Sequence, residues 1–121
     1  MNLAMVGWIA LGAGIGAPLR FIIDRVVTEK SATSRVPLGL LVVNIFGSAL
    51  FGIILGMNNP TLIVVIGSGF CGALTTFSGF AWESNALWRQ RRADFWIFIT
   101  AMVVLCVLAF WLTWTVTSAL V

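Results

Sequence analysis

The charged side chains of this chain are confined to two short stretches, from Arg20 to Arg35 and from Glu83 to Asp94. The uncharged stretches around them are long enough to cross a lipid bilayer, which takes about 20 apolar residues. Only 9% of the residues are charged and 60% are apolar, whereas an ordinary soluble domain has about 25% charged residues. The charge pattern therefore predicts a protein that lies in a membrane.

Neither the net positive charge nor the cysteines indicate a nucleic-acid-binding protein or a protein held by zinc or disulfides. The net charge is +3 and the pI is near 9.7, but the basic residues stand at the ends of apolar spans and form no basic face for nucleic acid. Cys71 and Cys106 fall inside apolar runs, and the chain has no histidine. They therefore suggest neither a zinc site nor a disulfide framework.

Four apolar stretches predict an all-α membrane protein with one transmembrane domain over residues 1–121. The predicted helices cover about residues 3–23, 37–57, 61–82 and 95–117. In the first helix, Gly12 and Gly16 have the GxxxG spacing that lets another helix approach closely. In the second, Asn44 and Ser48 stand one helical turn apart.

The third stretch is a poor helix. Residues 67–80 contain four glycines, two threonines and two serines, and each interior glycine costs about 1 kcal/mol relative to alanine. Within a membrane, a break is tolerated only where protein surrounds the freed backbone groups or where those groups face a ligand such as a cation. The composition predicts a broken third helix. The alternative is that the glycines only allow close helix packing.

Three motifs in this chain occur in the same order in a known family. The third span carries GFCGALTTFSGFAWE from Gly69 to Glu83, which resembles the GxxGxxTTFSxF...E signature of the Fluc (CrcB) fluoride channels. GAGIGAPLR, ending at Arg20, resembles the first-helix motif of that family. PLGLLVVNIFGS, which begins at Pro37, resembles its second-helix motif.

The resemblance implies a fluoride-selective channel subunit that exports cytoplasmic fluoride passively across the plasma membrane. Two subunits are expected to pair antiparallel, as a dual-topology dimer. One structural sodium ion, not transported, would bind the backbone carbonyls that match Gly72 and Thr75. Phe77 and Phe80 match phenylalanines that line the fluoride pathways, and Asn44 matches an asparagine facing the same pathway.

The chemistry of these positions suits a small, strongly hydrated anion. Asn44 has an amide NH₂ group, and Thr76 and Ser78 have hydroxyls, so all three can donate hydrogen bonds that replace water. Phenylalanine rings have positive edges, which attract an anion without a fixed charge that would trap it. Phe77 and Phe80 are three residues apart and hence neighbours on one helical face.

Two charged residues of the motifs are expected on the same side of the membrane. Threading four spans brings the end of the first helix, with Arg20, to the side where the third helix ends near Glu83. An ion pair between these two residues is one interpretation. Two solvated interfacial charges are the other.

The chain departs from the family pattern in three places. Gly79 and Leu40 stand where the family usually has threonine. The fourth helix has no hydroxyl from Ala101 to Leu112, although typical members extend the polar track there. Cys106 is the one side chain in this stretch that could substitute.

The distribution of basic residues predicts an orientation. All seven basic residues lie in the two charged stretches, which four spans place on the same side of the membrane. The opposite side, with both termini and the turn at residues 58–60, has none. The positive-inside rule then places both termini outside the cell. An antiparallel homodimer needs insertion both ways, so a heteromeric partner of opposite orientation is suspected, while a homodimer is possible.

The composition of the spans and the motifs also bear on other possible functions. A small four-helix multidrug transporter would need a carboxylate within a span for proton coupling, and Asp24, Glu83 and Asp94 all stand at span edges. A non-conducting regulatory or assembly subunit would keep the packing glycines but would need neither Asn44 nor the phenylalanine pair. A poorly conducting partner subunit of a heteromeric fluoride channel is a further alternative. An enzyme is disfavoured, because no constellation of nucleophile or acid and base is present.

Overall fold

The structure, a computed structural model, describes every residue from Met1 to Val121, and its only regular structure is helical. Four segments are long and apolar enough to cross a membrane, which confirms the predicted all-α fold with four spans. The third span consists of two helices. We number the helices α1 (Leu3–Lys30), α2 (Leu38–Gly56), α3 (60–74), α4 (Phe77–Gln90) and α5 (Arg92–Leu120).

Three helices extend further than the apolar runs predicted. The first ends at Lys30 rather than near residue 23, and its 28 residues correspond to about 42 Å against a hydrocarbon core of about 30 Å. The extra turns are polar, and Arg25 and Glu29 form an ion pair across one of them at 3.0 Å. Helical hydrogen bonding thus continues past the membrane, where hydropathy gives no signal.

The third span is broken, as predicted, but the break does not lie in the glycine run. Asn59 caps the start of α3 by accepting hydrogen bonds from the N–H groups of Thr61 and Leu62 at 3.1 and 3.2 Å. The helix then widens into a π-helical stretch, Ile63–Cys71, and closes with one α-turn. Thr75 and Thr76 are extended, and α4 begins directly after them.

The glycines of α1 and α3 instead bring two backbones together. A Cβ on Gly16 would lie 2.5 Å from the carbonyl oxygen of Phe70, and one on Gly69 would lie 2.7 Å from that of Ile9. A Cβ on Gly12 would be 3.1 Å from the Phe70 nitrogen. Gly12, Gly16 and Gly69 therefore serve close packing of the two helices, and the break falls at the threonine pair.

The second helix lies at the centre of the fold, against α1, α3 and α5. Gly52 and Gly56 leave no room for side chains where α2 meets Phe110, Thr113 and Thr117 of α5. The main core cluster lies where the start of α2, the end of α4 and the start of α5 meet. It comprises Leu40, Leu41, Val43, Leu87, Phe98 and Met102. Most other large apolar side chains are exposed on the outer surface, as expected for contact with lipid.

Candidate functional site

The break in the third span is held by one side chain of α2. The Oδ1 atom of Asn44 accepts a hydrogen bond from the Thr76 N–H at 2.8 Å. Its Nδ2 donates to the Leu40 carbonyl at 3.0 Å and to the Thr76 carbonyl at 3.4 Å. Asn44 is only 8% exposed, and these bonds satisfy its buried amide group together with backbone groups at the break. The amide therefore takes the place of the helical hydrogen bonds missing at Thr76.

The predicted ion pair between Arg20 and Glu83 is not formed. Arg20 donates instead from Nη1 to the Thr75 carbonyl, at 3.3 Å. Because α1 continues ten residues beyond Arg20, about 15 Å, this side chain lies level with the break and not at the end of the helix. Glu83 lines a separate polar cavity of about 240 Å³ between the loop ends of α1, α2 and α4.

One face of the break presents carbonyl groups. The helical segment ends at Leu74, so the carbonyls of its last turn have no helical N–H groups after them. The Cys71 carbonyl receives the Thr75 N–H at 3.0 Å. Gly72 and Thr75, the predicted sodium ligands, border a cavity of about 290 Å³. The other residues around it are Gly47, Ser48, Phe51, Gly67, Ser68 and Cys71.

The other face of the break is the N-terminus of α4. Thr76 is its N-cap, with the hydroxyl accepting from the Gly79 N–H at 3.2 Å. The Thr76 and Ser78 hydroxyl oxygens are 3.1 Å apart. The N–H groups of a first helical turn have no intrahelical acceptors, and the helix dipole adds partial positive charge there. The break thus presents N–H groups and hydroxyls on one side and carbonyls on the other.

Phe77 and Phe80 lie in the first turn of α4 and are adjacent. Their ring centroids are 5.7 Å apart, with the planes tilted by 50°. Phe80 contacts Phe98 of α5 at the same centroid distance, and Phe98 is fully buried. Phe77 is 79% exposed. One ring is thereby held by the core, and the other projects from the surface of the subunit.

The predicted pathway residues meet at one cavity, with a single exception. A cavity of about 400 Å³ is lined by Asn44, Ser48, Thr75, Thr76, Phe77, Phe80, Met102, Val103, Cys106 and Val107. Ser78 is not among these residues. The lining contains no charged side chain, because Arg20 is directed to the Thr75 carbonyl.

Ser48, Met102, Val103 and Val107 line the cavity without having been predicted, and Cys106 lines it as the side chain suggested to substitute for the missing hydroxyls. Ser48 lies one turn after Asn44 on α2, so helical spacing could have identified it. Met102 and Cys106 are also one turn apart, and the Cys106 thiol lies 3.8 Å from the Met102 sulfur. Ser48 and Cys106 both line this cavity. The α5 wall therefore has sulfur atoms but no hydroxyl at this depth.

Comparisons with known proteins agree with the motifs. Residues 7–114 match the family described as CrcB-like protein, Camphor Resistance (CrcB). A protein named Fluoride-specific ion channel FluC 1 from Nocardia farcinica is 49% identical over 88 residues, which cover 72% of this chain and 59% of the relative.

Two further relatives match over most of their length. Fluoride-specific ion channel FluC 1 from Geobacillus kaustophilus is 36% identical over 88% of this chain and 90% of its own. Fluoride-specific ion channel FluC 2 from Rhodococcus jostii is 35% identical over 91% of this chain and 96% of its own.

Proposed function

This chain belongs to the CrcB family, and we propose that it is a subunit of a fluoride-selective channel whose pathway passes along the cavity at the helix break. The observation that carries the proposal is the meeting of Phe77, Phe80, Asn44 and Thr76 around one uncharged cavity. Membership of a family whose relatives bear channel names supports an ion channel and not an enzyme.

The lining offers an anion partial positive charge without a full positive charge. The Thr76 hydroxyl and the first-turn N–H groups of α4 can donate hydrogen bonds in place of water. The edges of the two phenylalanine rings add a weak attraction. A guanidinium in the same place would bind the anion too strongly for rapid passage. The position of Arg20, outside the lining, is consistent with conduction.

The Nδ2 group of Asn44 can exchange one of its hydrogen bonds to the backbone for a hydrogen bond to a passing anion. Its bond to the Leu40 carbonyl is short, at 3.0 Å, whereas its bond to the Thr76 carbonyl is 3.4 Å long. Long hydrogen bonds are weaker. An anion in the cavity would therefore compete mainly for the Nδ2 hydrogen that faces Thr76. The cap on the Thr76 N–H, made by Oδ1, would be retained meanwhile.

The pathway is open on one side of a single subunit. Phe77 is 79% exposed, and the walls of the cavity come from α2, from the break at Thr75 and Thr76, and from α4 and α5. We propose that a second subunit, antiparallel to the first, closes it. Passive flow through such a pore in the plasma membrane would carry fluoride out of the cytoplasm.

The same dimer would hold one structural sodium ion. The chain has no cluster of acidic, histidine or cysteine side chains that could hold a metal, so a cation would need carbonyl ligands. The last turn of α3 supplies carbonyls without helical partners, and the donor set of Gly72 and Thr75 fits sodium, a hard cation that takes oxygen ligands. A carbonyl oxygen has two lone pairs, so Thr75 can accept from Arg20 and still face an ion.

A second candidate is a poorly conducting subunit in a heteromeric channel. The α5 wall of the cavity consists of Met102, Val103, Cys106 and Val107 and contains no hydroxyl. Apart from Arg20, which lies level with the break, the six other basic residues lie toward one side of the membrane, which favours a single orientation with both termini outside. A partner of the opposite orientation would then complete the dimer and supply the missing hydroxyls.

Reconstitution tests both candidates. The purified chain in liposomes should release fluoride down its gradient and retain chloride. Release of both anions at equal rates would contradict fluoride selectivity. If the chain alone releases neither ion but does so when reconstituted with a second CrcB subunit, the heteromeric role is supported. For the cation, replacing sodium by a bulky organic cation during purification should lower the thermal stability of the dimer.

A further inference from the structure

The corner between α4 and α5 carries three arginines at one end of the membrane spans. We call Arg89, Arg91 and Arg92 the arginine corner; all three are exposed. Arg91 pairs with Asp94 at 3.3 Å, while Arg89 and Arg92 form no ion pair. The corner therefore has two positive charges that no carboxylate of this chain neutralises.

Aromatic side chains surround the arginine corner. The guanidinium of Arg92 lies 4.4 Å from the centroid of the Trp88 ring. Trp88 also contacts Phe95 and Trp96, edge to face, at 4.9 and 6.4 Å between centroids. Trp96 is 59% exposed. Tryptophans beside arginines are typical of the boundary between hydrocarbon and headgroups.

An apolar groove begins at Trp96 and continues along the outer face of α5. Its lining residues are Trp96, Ile97, Thr100, Ala101, Val104 and Leu105. Arg92, Trp96, Thr100 and Val104 follow one another at four-residue steps, so they share a face. The distance along the helix from Arg92 to Val104 is about 18 Å, comparable with half of a hydrocarbon core of about 30 Å.

The groove faces away from the proposed fluoride pathway. Met102 and Cys106, which line the cavity, are each two residues from Val104 and hence lie on the opposite side of the helix. Val103 and Val107, which also line the cavity, lie between these two faces. The charged end and the apolar groove therefore form one continuous outer surface, with positive charge at headgroup level and hydrocarbon contacts below it.

We infer that this surface binds an anionic phospholipid of the leaflet on the side of the connection between α4 and α5. Arg89 and Arg92 would bind the phosphate, for which a guanidinium is well suited, and one acyl chain would lie in the groove from Trp96 to Leu105. A free phosphate ion would contact only Arg89 and Arg92 and not the groove. The inference does not depend on fluoride conduction, since no cavity residue takes part.

Lipid retention by the full chain tests the inference. The purified protein in detergent is mixed with phosphatidylglycerol or with phosphatidylcholine of the same acyl chains, and bound lipid is counted by native mass spectrometry. Phosphatidylglycerol should be retained preferentially. Arg89→Gln with Arg92→Gln should weaken its binding by roughly fivefold per arginine, the fold-change that corresponds to about 1 kcal/mol for each basic residue near a lipid surface.

A matched control removes the same charge elsewhere. Lys30→Gln with Arg35→Gln takes two positive charges from the end of α1 and the loop after it and should leave the preference for phosphatidylglycerol within about twofold of the unmodified chain. If both double variants lose the preference equally, or if the unmodified chain shows none, the inference is overturned. Each variant is first checked for an unchanged helical signal in circular dichroism.

The groove and the nature of the ligand are tested separately. Thr100→Trp would fill the groove with the arginines intact and should reduce retention, whereas Leu112→Trp, exposed on the same helix outside the groove, should not. If both substitutions reduced lipid retention equally, the placement of the acyl chain in the groove would be wrong. Inorganic phosphate should not displace the lipid. If phosphate alone raises the thermal stability as much as phosphatidylglycerol does, the site binds an ion and the lipid assignment is wrong.

Discussion

The Cδ1 atom of Leu40 lies 3.0 Å from the position that a Cβ atom on Gly79 would occupy. These two residues stand where members of the resembled family usually have threonine. Leu40 is buried and uses the space that the absent side chain of Gly79 leaves. The residues at these two positions are therefore in direct contact, and the size of one limits the size of the other.

The first prediction concerns this pair. Gly79→Thr alone should lower the free energy of unfolding by about 1–3 kcal/mol, because added atoms would overlap with Leu40 in a packed interior. Adding Leu40→Thr should recover part of that loss, with a coupling of about 0.5–3 kcal/mol between the two changes. Denaturant unfolding in detergent measures both. Val42→Thr, on the exposed face of α2, is the control, and additive effects would contradict the coupling.

The second prediction concerns the phenylalanine pair. Phe80→Ile should reduce fluoride release from liposomes about tenfold or more, equivalent to about 1.4 kcal/mol, because an aliphatic side chain has no positive ring edge. Phe46→Ile changes a ring that is exposed on α2 and lines no cavity, and should leave the release unchanged. Equal losses in both variants would indicate a general effect on folding or insertion.

The third prediction separates the two functions of Asn44. Asn44→Asp keeps an acceptor for the Thr76 N–H but loses both Nδ2 donors and adds negative charge. It should abolish fluoride release while the protein remains folded. Asn44→Leu also leaves the Thr76 N–H unsatisfied, which should cost about 1–3 kcal/mol of stability. Flux and thermal unfolding are measured together, and full conduction by the aspartate variant would exclude Asn44 as a donor to the anion.

The fourth prediction uses the thiols as probes of the pathway. Cys106 lines the larger cavity, so a small methanethiosulfonate reagent should inhibit fluoride release from the unmodified channel. Cys106→Ser should remain conducting and lose the inhibition. Cys71 is buried at 3% exposure and borders the other cavity, so Cys71→Ser should stay sensitive. Persistence of inhibition in the Cys106 variant would place this residue outside the pathway.

The fifth prediction concerns orientation. Reversed insertion would carry basic loops across the bilayer, and a charged residue at its centre costs about 2.5–3.5 kcal/mol on insertion scales. Reporter fusions at Val121 should therefore be active only outside the cytoplasm. Replacing Arg89, Arg91 and Arg92 by glutamine should make the orientation mixed. Similar activity on both sides without any substitution would argue for a self-pairing chain and against a heteromer.

Much of the fold and half of the site could be predicted from local features. Hydropathy gave the four spans, and the TTFSGF motif placed Phe77 and Phe80 on one face of a helix. The lengths of α1 and α5 were underestimated because hydrogen bonding in a helix does not stop where hydropathy falls. Cys106 was suggested as a substitute for the missing hydroxyls, but Ser48 and Met102 were missed because their place in the cavity depends on which helices meet.

The sequence by itself determined that this chain crosses the membrane four times, that its third span is broken, and which family it belongs to. These properties follow from hydropathy, backbone propensity and short motifs, all of which act within one segment. Only the tertiary structure decided that the break falls at Thr75 and Thr76, that Asn44 caps it, and that Arg20 binds the Thr75 carbonyl and not Glu83. Each of these depends on which distant side chain reaches an unsatisfied backbone group, and that is determined by how α1 and α2 pack against the break.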